Sequence, residues 1–341
     1  MTTTTGLEVR VDCDESCFDL PEWPQLLARD PNRHIFASPE WNKLWWEEFG
    51  SGRDLLLMTM SRGDSVAAIV PLYRKQEGAR RVLRFVGGID LTDYLGPICS
   101  LQDRNIVAET LVGWLETTEV WWDELDAHSM PVPLGFAEFL VDHADRRGFG
   151  FTLEQEEVSA ILALPPEWDA YLASLEPKQR HELKRKLRRL AREHPDARVR
   201  SSSAATLDRD LKLFFDMHRE AEGDKGHFMS PGVATFLERV ARGFMTLGWL
   251  RLDFLEIGQR AVAATFGFEV SERFYLYNSA FLPAARKVSP GVVLVGQLVE
   301  RAIGNGIEYF DFLRGPERYK YQFGAEAVPL NNVKVFNKQS T

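Results

Sequence analysis

The chain has 341 residues, 45% of them hydrophobic and 27% charged, with a formal net charge of −9. This composition excludes a disordered or fibrous chain, and the length favours two domains over one core. The acidic balance argues against general nucleic-acid binding, and no apolar run reaches the roughly 18–20 residues of a membrane span. The opening MTTTTGLEVR has neither an apolar core nor a cleavage pattern, so no signal peptide is expected. Three cysteines, Cys13, Cys17 and Cys99, lack CxxC spacing. That pattern predicts neither a disulfide framework nor a zinc site, and it favours a reducing, cytoplasmic setting.

In chain order, the first helix signal is FASP at 36–39, and the same pattern returns as FMSP at 228–231, offset by 192. Each opens an apolar-striped segment, PEWNKLWWEEFG with Trp41, Leu44, Trp45 and Phe49 inward, and PGVATFLERVARGF with Phe236, Val240 and Phe244 inward. Ser38 and Ser230 suit the capping position, with Pro39 and Pro231 at the first helical residue. Two strands follow in each half, RDLLLMTM and SVAAIVPLY across RGD, then WLRLDFLEI and AVAATFGFEV across GQR. A helix and a strand ending in Asp close both patterns, at Asp126 and Asp311. The shared order helix–helix–strand–strand–strand–helix–strand–helix–strand predicts an internal duplication of one mixed α/β unit.

Between the halves, residues 158–196 read as a strand, a short helix and a basic helix. KQRHELKRKLRRLAR, residues 178–192, holds eight Lys or Arg and one Glu, a net of +7, so the remaining residues sum to −16. Leu183, Leu187 and Leu190 form a narrow apolar stripe that must pack on a neighbouring domain, because so short a helix is marginal alone. The sleeve is either simply solvated or a capture site for an anionic donor or acceptor. The stretch lacks interleaved aromatics for base stacking, which weakens an RNA reading.

In the second half, strands near 248–256, 260–270 and 273–281 form an antiparallel meander. Alternation along RFYLYNSAFL places Phe274, Leu276, Asn278 and Ala280 on one face and Tyr275, Tyr277 and Ser279 on the other. Ser289 then caps a helix beginning at Pro290, and Gly291 leaves room for close approach. The free N–H groups there, with Arg286 and Lys287 just before them, suit a pyrophosphate as well as an ordinary capped helix. EYFDFLRGPERYKYQFGAE follows, a strand ending at Asp311 and a turn bearing Glu317, Tyr319 and Lys320, where open α/β sheets place ligands.

This succession of meander, phosphate-type helix, strand and YKYQFGA resembles a GCN5-related N-acetyltransferase (GNAT) domain. LEPKQRHELKRKLRRL, FDMHRE, SPGVVL, YFDFLRGPERYKYQFGA and, in the first half, GGIDLTDYLGPI resemble the CelD/BcsL-like acetyltransferases of cellulose biosynthesis, relatives of the FemAB aminoacyltransferases. The resemblance implies a mixed α/β fold of two tandem GNAT-like lobes, residues 1–157 and 197–341, each a mostly antiparallel sheet flanked by helices and joined by a basic linker, 158–196. It also implies acyl transfer from acetyl-CoA or another acyl-CoA, without a metal, to an amine or hydroxyl of a small-molecule or saccharide acceptor. A Fem-like use of aminoacyl-tRNA and a non-catalytic module of polysaccharide biosynthesis are the alternatives. The usual Arg/Gln-x-x-Gly-x-Gly/Ala loop is reduced here to RKVSPG, which leaves the donor open.

On this resemblance Tyr319 is the general acid, or simply a packed surface tyrosine, and Asp311 is a base, orients Lys320, or caps the turn that follows its strand. His218, ending the helix of Leu211, Phe214, Phe215 and Met217, is a base or a cation on the helix dipole. Glu256 is a further base candidate. Ser289, Gly291, Arg286, Lys287 and Tyr277 are assigned to the cofactor. Glu317, Lys320 and Arg219 are assigned to the acceptor, with Asp93 and Tyr94 of the first half if they face the same cleft. His227 is read as a loop residue.

Overall fold

Two serines start two helices in the same way. In the computed structural model, which describes residues 6–30, 33–220 and 229–338, Ser38 accepts a hydrogen bond from the Trp41 N–H at 3.2 Å. Ser230 accepts one from the Val233 N–H at 3.4 Å. Each side chain satisfies a donor that the first turn leaves open, and the proline behind it has no N–H to satisfy. The helices are α2 (Pro39–Phe49) and α8 (Pro231–Thr246), with Trp41, Trp45, Phe236, Val240 and Phe244 buried as their spacing requires. His227 lies outside the described residues.

The chain forms two units, residues 1–158 with 328–341, and residues 159–327. The first contains β1 (Glu8–Asp12), α1 (Glu22–Arg29), α2, β2 (Asp54–Arg62), β3 (Ser65–Glu77), β4 (Arg80–Phe85) and the short β5 (Ile98–Cys99). It continues with α3 (Arg104–Thr117), β6 (Glu124–Pro131), α4 (Phe136–Arg146) and most of β7 (Gly150–Ala163), and it includes most of the final strand, β13 (Glu326–Phe336). Its sheet runs β1-β2-β3-β4-β6-β13, antiparallel except for β4 against β6. Trp122, Leu111, Phe85 and Leu140, all fully or nearly fully buried, sit in the core between sheet and helices.

The second unit takes the end of β7, then α5 (Trp168–Ser174), α6 (Pro177–Glu193), β8 (Arg198–Ser201), α7 (Leu207–Arg219), α8, β9 (Leu250–Ile257), β10 (Arg260–Val270) and β11 (Arg273–Phe281). It ends with α9 (Pro290–Gly304), β12 (Tyr309–Arg314) and α10 (Arg318–Gln322). Its sheet order is β7-β12-β11-β10-β9-β8, with one parallel step, β11 against β12. Both units thus repeat the predicted order of elements, and each is a mixed sheet flanked by helices.

The unit boundary differs from the expected lobes and linker. Leu183 and Leu190 are buried in the second unit's core, and Gly296 of α9 lets α6 come close. A Cβ on Gly296 would stand 3.0 Å from Leu183 Cδ1, tighter than ordinary packing. The basic helix is therefore an integral part of the second unit. At the other end, β13 pairs with β6, which places residues 328–341 in the first. No helix among the described residues is long and apolar enough to cross a membrane.

Candidate active site

Gly267 decides the course of β11. Its partner across the β10–β11 ladder is Leu276, whereas Phe266 pairs with Asn278, so Tyr277 is one residue too many. A Cβ at Gly267 would lie 2.4 Å from the Tyr275 carbonyl oxygen, which no side chain tolerates. The bulge breaks the expected alternation. Phe274 and Leu276 face the α9 core, but Tyr277 contacts Phe266 and Phe268, and Asn278 meets His218 of α7. An extra residue bends a strand away from its neighbour. Pairing of β11 with β12 accordingly covers only Arg273–Tyr275 against Tyr309–Asp311, and beyond that point the two strands separate into a notch.

Asp311 sits at the vertex, fully buried. It accepts a hydrogen bond from the Leu313 N–H at 2.9 Å and an ion pair from Arg273 at 3.1 Å. The first contact holds Leu313 at φ 61°, a left-handed conformation that costs a leucine energy unless its surroundings enforce it. Lys320 completes the brace. Its buried ammonium donates to the carbonyls of Leu313, Arg314 and Gly315 at 3.0, 2.7 and 3.2 Å and pairs with Glu317 at 2.8 Å. Asp311 and Lys320 thus fix consecutive parts of one turn. Half-buried Tyr319 stacks edge-on to Phe312, and burial, then the Glu317 charge, pushes its phenol pKa far up, so it keeps its proton.

At the mouth, α9 begins differently from α2 and α8. Ser289 lies at φ 52°, ψ 51°, and its side chain makes no capping bond, contrary to the sequence expectation. In that left-handed conformation its backbone carbonyl still receives the Val293 N–H at 3.1 Å, but its hydroxyl is turned from the helix end. The first N–H groups of α9, at Gly291 and Val292, are left without a side-chain cap. A Cβ at Gly291 would meet Phe281 at an ordinary 3.6 Å, so the chain itself does not require glycine there. Arg286 and Lys287 are exposed beside it. A groove of about 370 Å³ starts at Val292 and runs between α10 (Arg318, Tyr321) and the start of α6 (Lys178, Gln179, Lys186). The Gln179 side chain donates to the Tyr321 carbonyl at 3.1 Å and ties α6 to α10 across it.

His218 is buried at the end of α7 and bonds Asn278 through Nε2 at 3.0 Å. Asn278 Oδ1 already accepts the Ser279 N–H at 2.7 Å, so it is an acceptor and His218 Nε2 is the donor. The other ring nitrogen, Nδ1, is buried from solvent. Sequence reading named His218 but missed Asn278 and the bulge; the signal was a glycine inside a strong strand pattern.

Two further candidates of the second unit, Glu256 and Arg219, are engaged elsewhere in it. Glu256 lies at the far end of the sheet, paired with Arg198 and Arg200 at 2.9 and 2.7 Å. Burial opposes its charge, but the hydrogen bonds from Arg200 and Arg198 win and hold its carboxyl below the usual range. Arg219 is exposed and pairs with Asp216 at 3.1 Å, within its own helix. Tyr94 is buried in the first unit against His34 and Phe36, and Asp93 is half-buried beside it.

The first unit has the same parallel step, and there it is filled. Pairing of β4 with β6 ends at Leu83–Leu125, and the next residues, Arg84 and Asp126, form an ion pair at 2.8 Å. Asp126 also receives His128 at 2.9 Å and Asn332 at 3.0 Å, while Arg84 pairs with Glu77 at 2.5 Å. The chain after β4 folds back: the Leu95 N–H bonds the Ser129 carbonyl at 3.1 Å, and β5 pairs with β3 beyond the end of β4. An ion pair and the returning backbone thus occupy the place just beyond the last paired residues of β4 and β6.

Solved structures share this fold. FemX aligns with a TM-score of 0.69 at 11% identity, covering 97% of this chain and 98% of that one. L-PGS from Bacillus licheniformis gives 0.51 at 12% identity over 89% and 93%. A tandem GNAT protein from the clavulanic acid biosynthesis pathway gives 0.51 at 11% identity over 96% and 98%. No curated protein matches the chain in sequence. Residues 177–321, which carry the bulge, the notch, the α9 N-terminus and the groove, match the family model of the acetyltransferase (GNAT) domain, and over that stretch the chain is similar to GNAT-type acetyltransferases.

Proposed function

We propose that the protein is an acyltransferase that takes an acyl group, acetyl in the simplest case, from a CoA thioester to an amine or hydroxyl of a small-molecule or saccharide acceptor. The order of motifs favours the CelD/BcsL-like branch. The observation that carries the reading is the notch between β11 and β12, opened by the Tyr277 bulge, with an uncapped helix N-terminus at its mouth. When bound, the thioester supplies an activated acyl carbon. The N–H groups of Gly291 and Val292, with Arg286 and Lys287, hold the pyrophosphate. The free edge of β11 receives the pantetheine amides, and Asp311 and Lys320 keep that edge apart from β12. His218 is the base for the acceptor proton, and the Tyr319 hydroxyl donates to the departing sulfur. Positioning supplies much of the rate, so the acid is the more dispensable of the two.

A Fem-like transfer from aminoacyl-tRNA is the second reading, favoured by the likeness to FemX and the basic α6. Mass-spectrometric detection of acyl transfer from a panel of acyl-CoA thioesters to amines and sugars tests the main reading. Transfer lost in His218→Asn and reduced in Tyr319→Phe is expected. No CoA release with any thioester, beside turnover of aminoacyl-tRNA, would overturn it.

A further inference from the structure

Helix α6 has a second face that the acyl-transfer site does not use. Arg180, Lys184, Arg188 and Arg192 follow one another at four-residue steps, with Arg185 and Arg189 in the adjoining row, and together they line an open groove of about 640 Å³. At a rise of about 1.5 Å per residue the first row is about 18 Å long, one cation every ~6 Å. Like charges so spaced repel along a helix. Internal neutralisation is partial. Glu182 pairs with Arg185 and Lys186, and Glu193 with Arg189 and Arg192. Lys184 and Arg188 meet no carboxylate among the described residues. Of the residues outside 178–192, which sum to −16, only Glu193 forms an ion pair with this stripe among the described residues.

The chemistry of the stripe restricts its partner. The helix's leucines are spent inward, with Leu183 and Leu190 buried and Leu187 packed behind them, so no apolar side chain is available to insert into a bilayer. His181 is the one aromatic ring lining the stripe, with no Phe, Tyr or Trp to stack successive bases, which leaves RNA a weak grip. An open row of cations matches a surface that presents many anionic groups at once. We infer that α6 docks the protein on an anionic phospholipid surface, held by charge alone. Each basic residue near such a surface raises partitioning about fivefold.

Co-sedimentation of the full chain with phosphatidylglycerol-containing vesicles and with pure phosphatidylcholine vesicles tests this. Binding to the first only, abolished by high salt, is the expected result. The triple variant Lys184→Glu, Arg188→Glu, Arg192→Glu, at exposed or half-exposed positions, lowers partitioning about a hundredfold while its circular dichroism and acyl-CoA binding stay unchanged. Equal binding to both vesicle types, no binding to either, binding unaffected by the triple variant, or retention of RNA in place of vesicles would each overturn the inference. The vesicle outcomes do not bear on acyl transfer from CoA, because these three side chains do not line the groove at Val292, whereas retention of RNA would also favour the Fem-like reading.

Discussion

The two units run through the same succession of elements and then part at one point, the end of their single parallel strand pair. In the first unit Arg84 and Asp126 close the gap with an ion pair, and the backbone at Leu95 and β5 fills it. In the second unit the equivalent Asp311 turns to the backbone of its own turn and to Arg273, and the pairing of β11 with β12 stops there. A buried charge must be paired, so the same carboxylate can either seal a notch or frame one. The partner decides which. The difference teaches that a duplicated fold needs only a few side chains to separate a scaffold from a site.

The sharpest way to break this comparison is to exchange its histidines. His218→Asn removes the basic nitrogen beside β11 and lowers kcat about a hundredfold or more, with little change in KM for the thioester. His128→Gln, in the filled notch, leaves kcat within about twofold. Equal losses from both would erase the distinction between the units. Next in size is Asp126→Asn, which leaves Arg84 and His128 facing a lost charge. It destabilises the protein by about 3 kcal/mol in urea denaturation, with turnover per folded molecule preserved.

A pH series separates the units without mutation. Burial opposes charging of His128, but Asp126 and Glu156 win and lift its pKa from 6.5 to about 9. A raised folded-state value means that its contribution is complete below the unfolded value near 6.5 and is lost as pH rises through about 9. Wild-type unfolding free energy, followed by urea denaturation, should fall across that window by an amount on the order of 2 kcal/mol, and His128→Gln should flatten the fall. The smallest effect distinguishes the helix starts. Ser38→Ala costs about 1 kcal/mol, whereas Ser289→Ala costs a few tenths at most, because only the first serine caps.

Much of this was legible in the residues. Proline after serine placed α2 and α8, and the 183–187–190 leucines announced that α6 needs a partner. The partner itself was not legible, because Gly296 marks a close contact only once α9 is in place. Alternation along β11 misled for a similar reason. The bulge is written in Gly267, on a different strand, so a period-two reading of β11 alone puts Asn278 on the wrong face. Lys320 showed the same limit. Its sequence neighbourhood suggests a ligand contact, yet its ammonium is spent on Glu317 and on carbonyls that only the folded turn gathers.

Titration calorimetry with acetyl-CoA tests the central claim most directly, since an open notch in one unit and a filled one in the other set the stoichiometry. One molecule bound per chain is predicted, with binding lost in Gly291→Trp and kept in Asp126→Asn. Two molecules per chain, or binding that survives Gly291→Trp and disappears with Asp126→Asn, would contradict it.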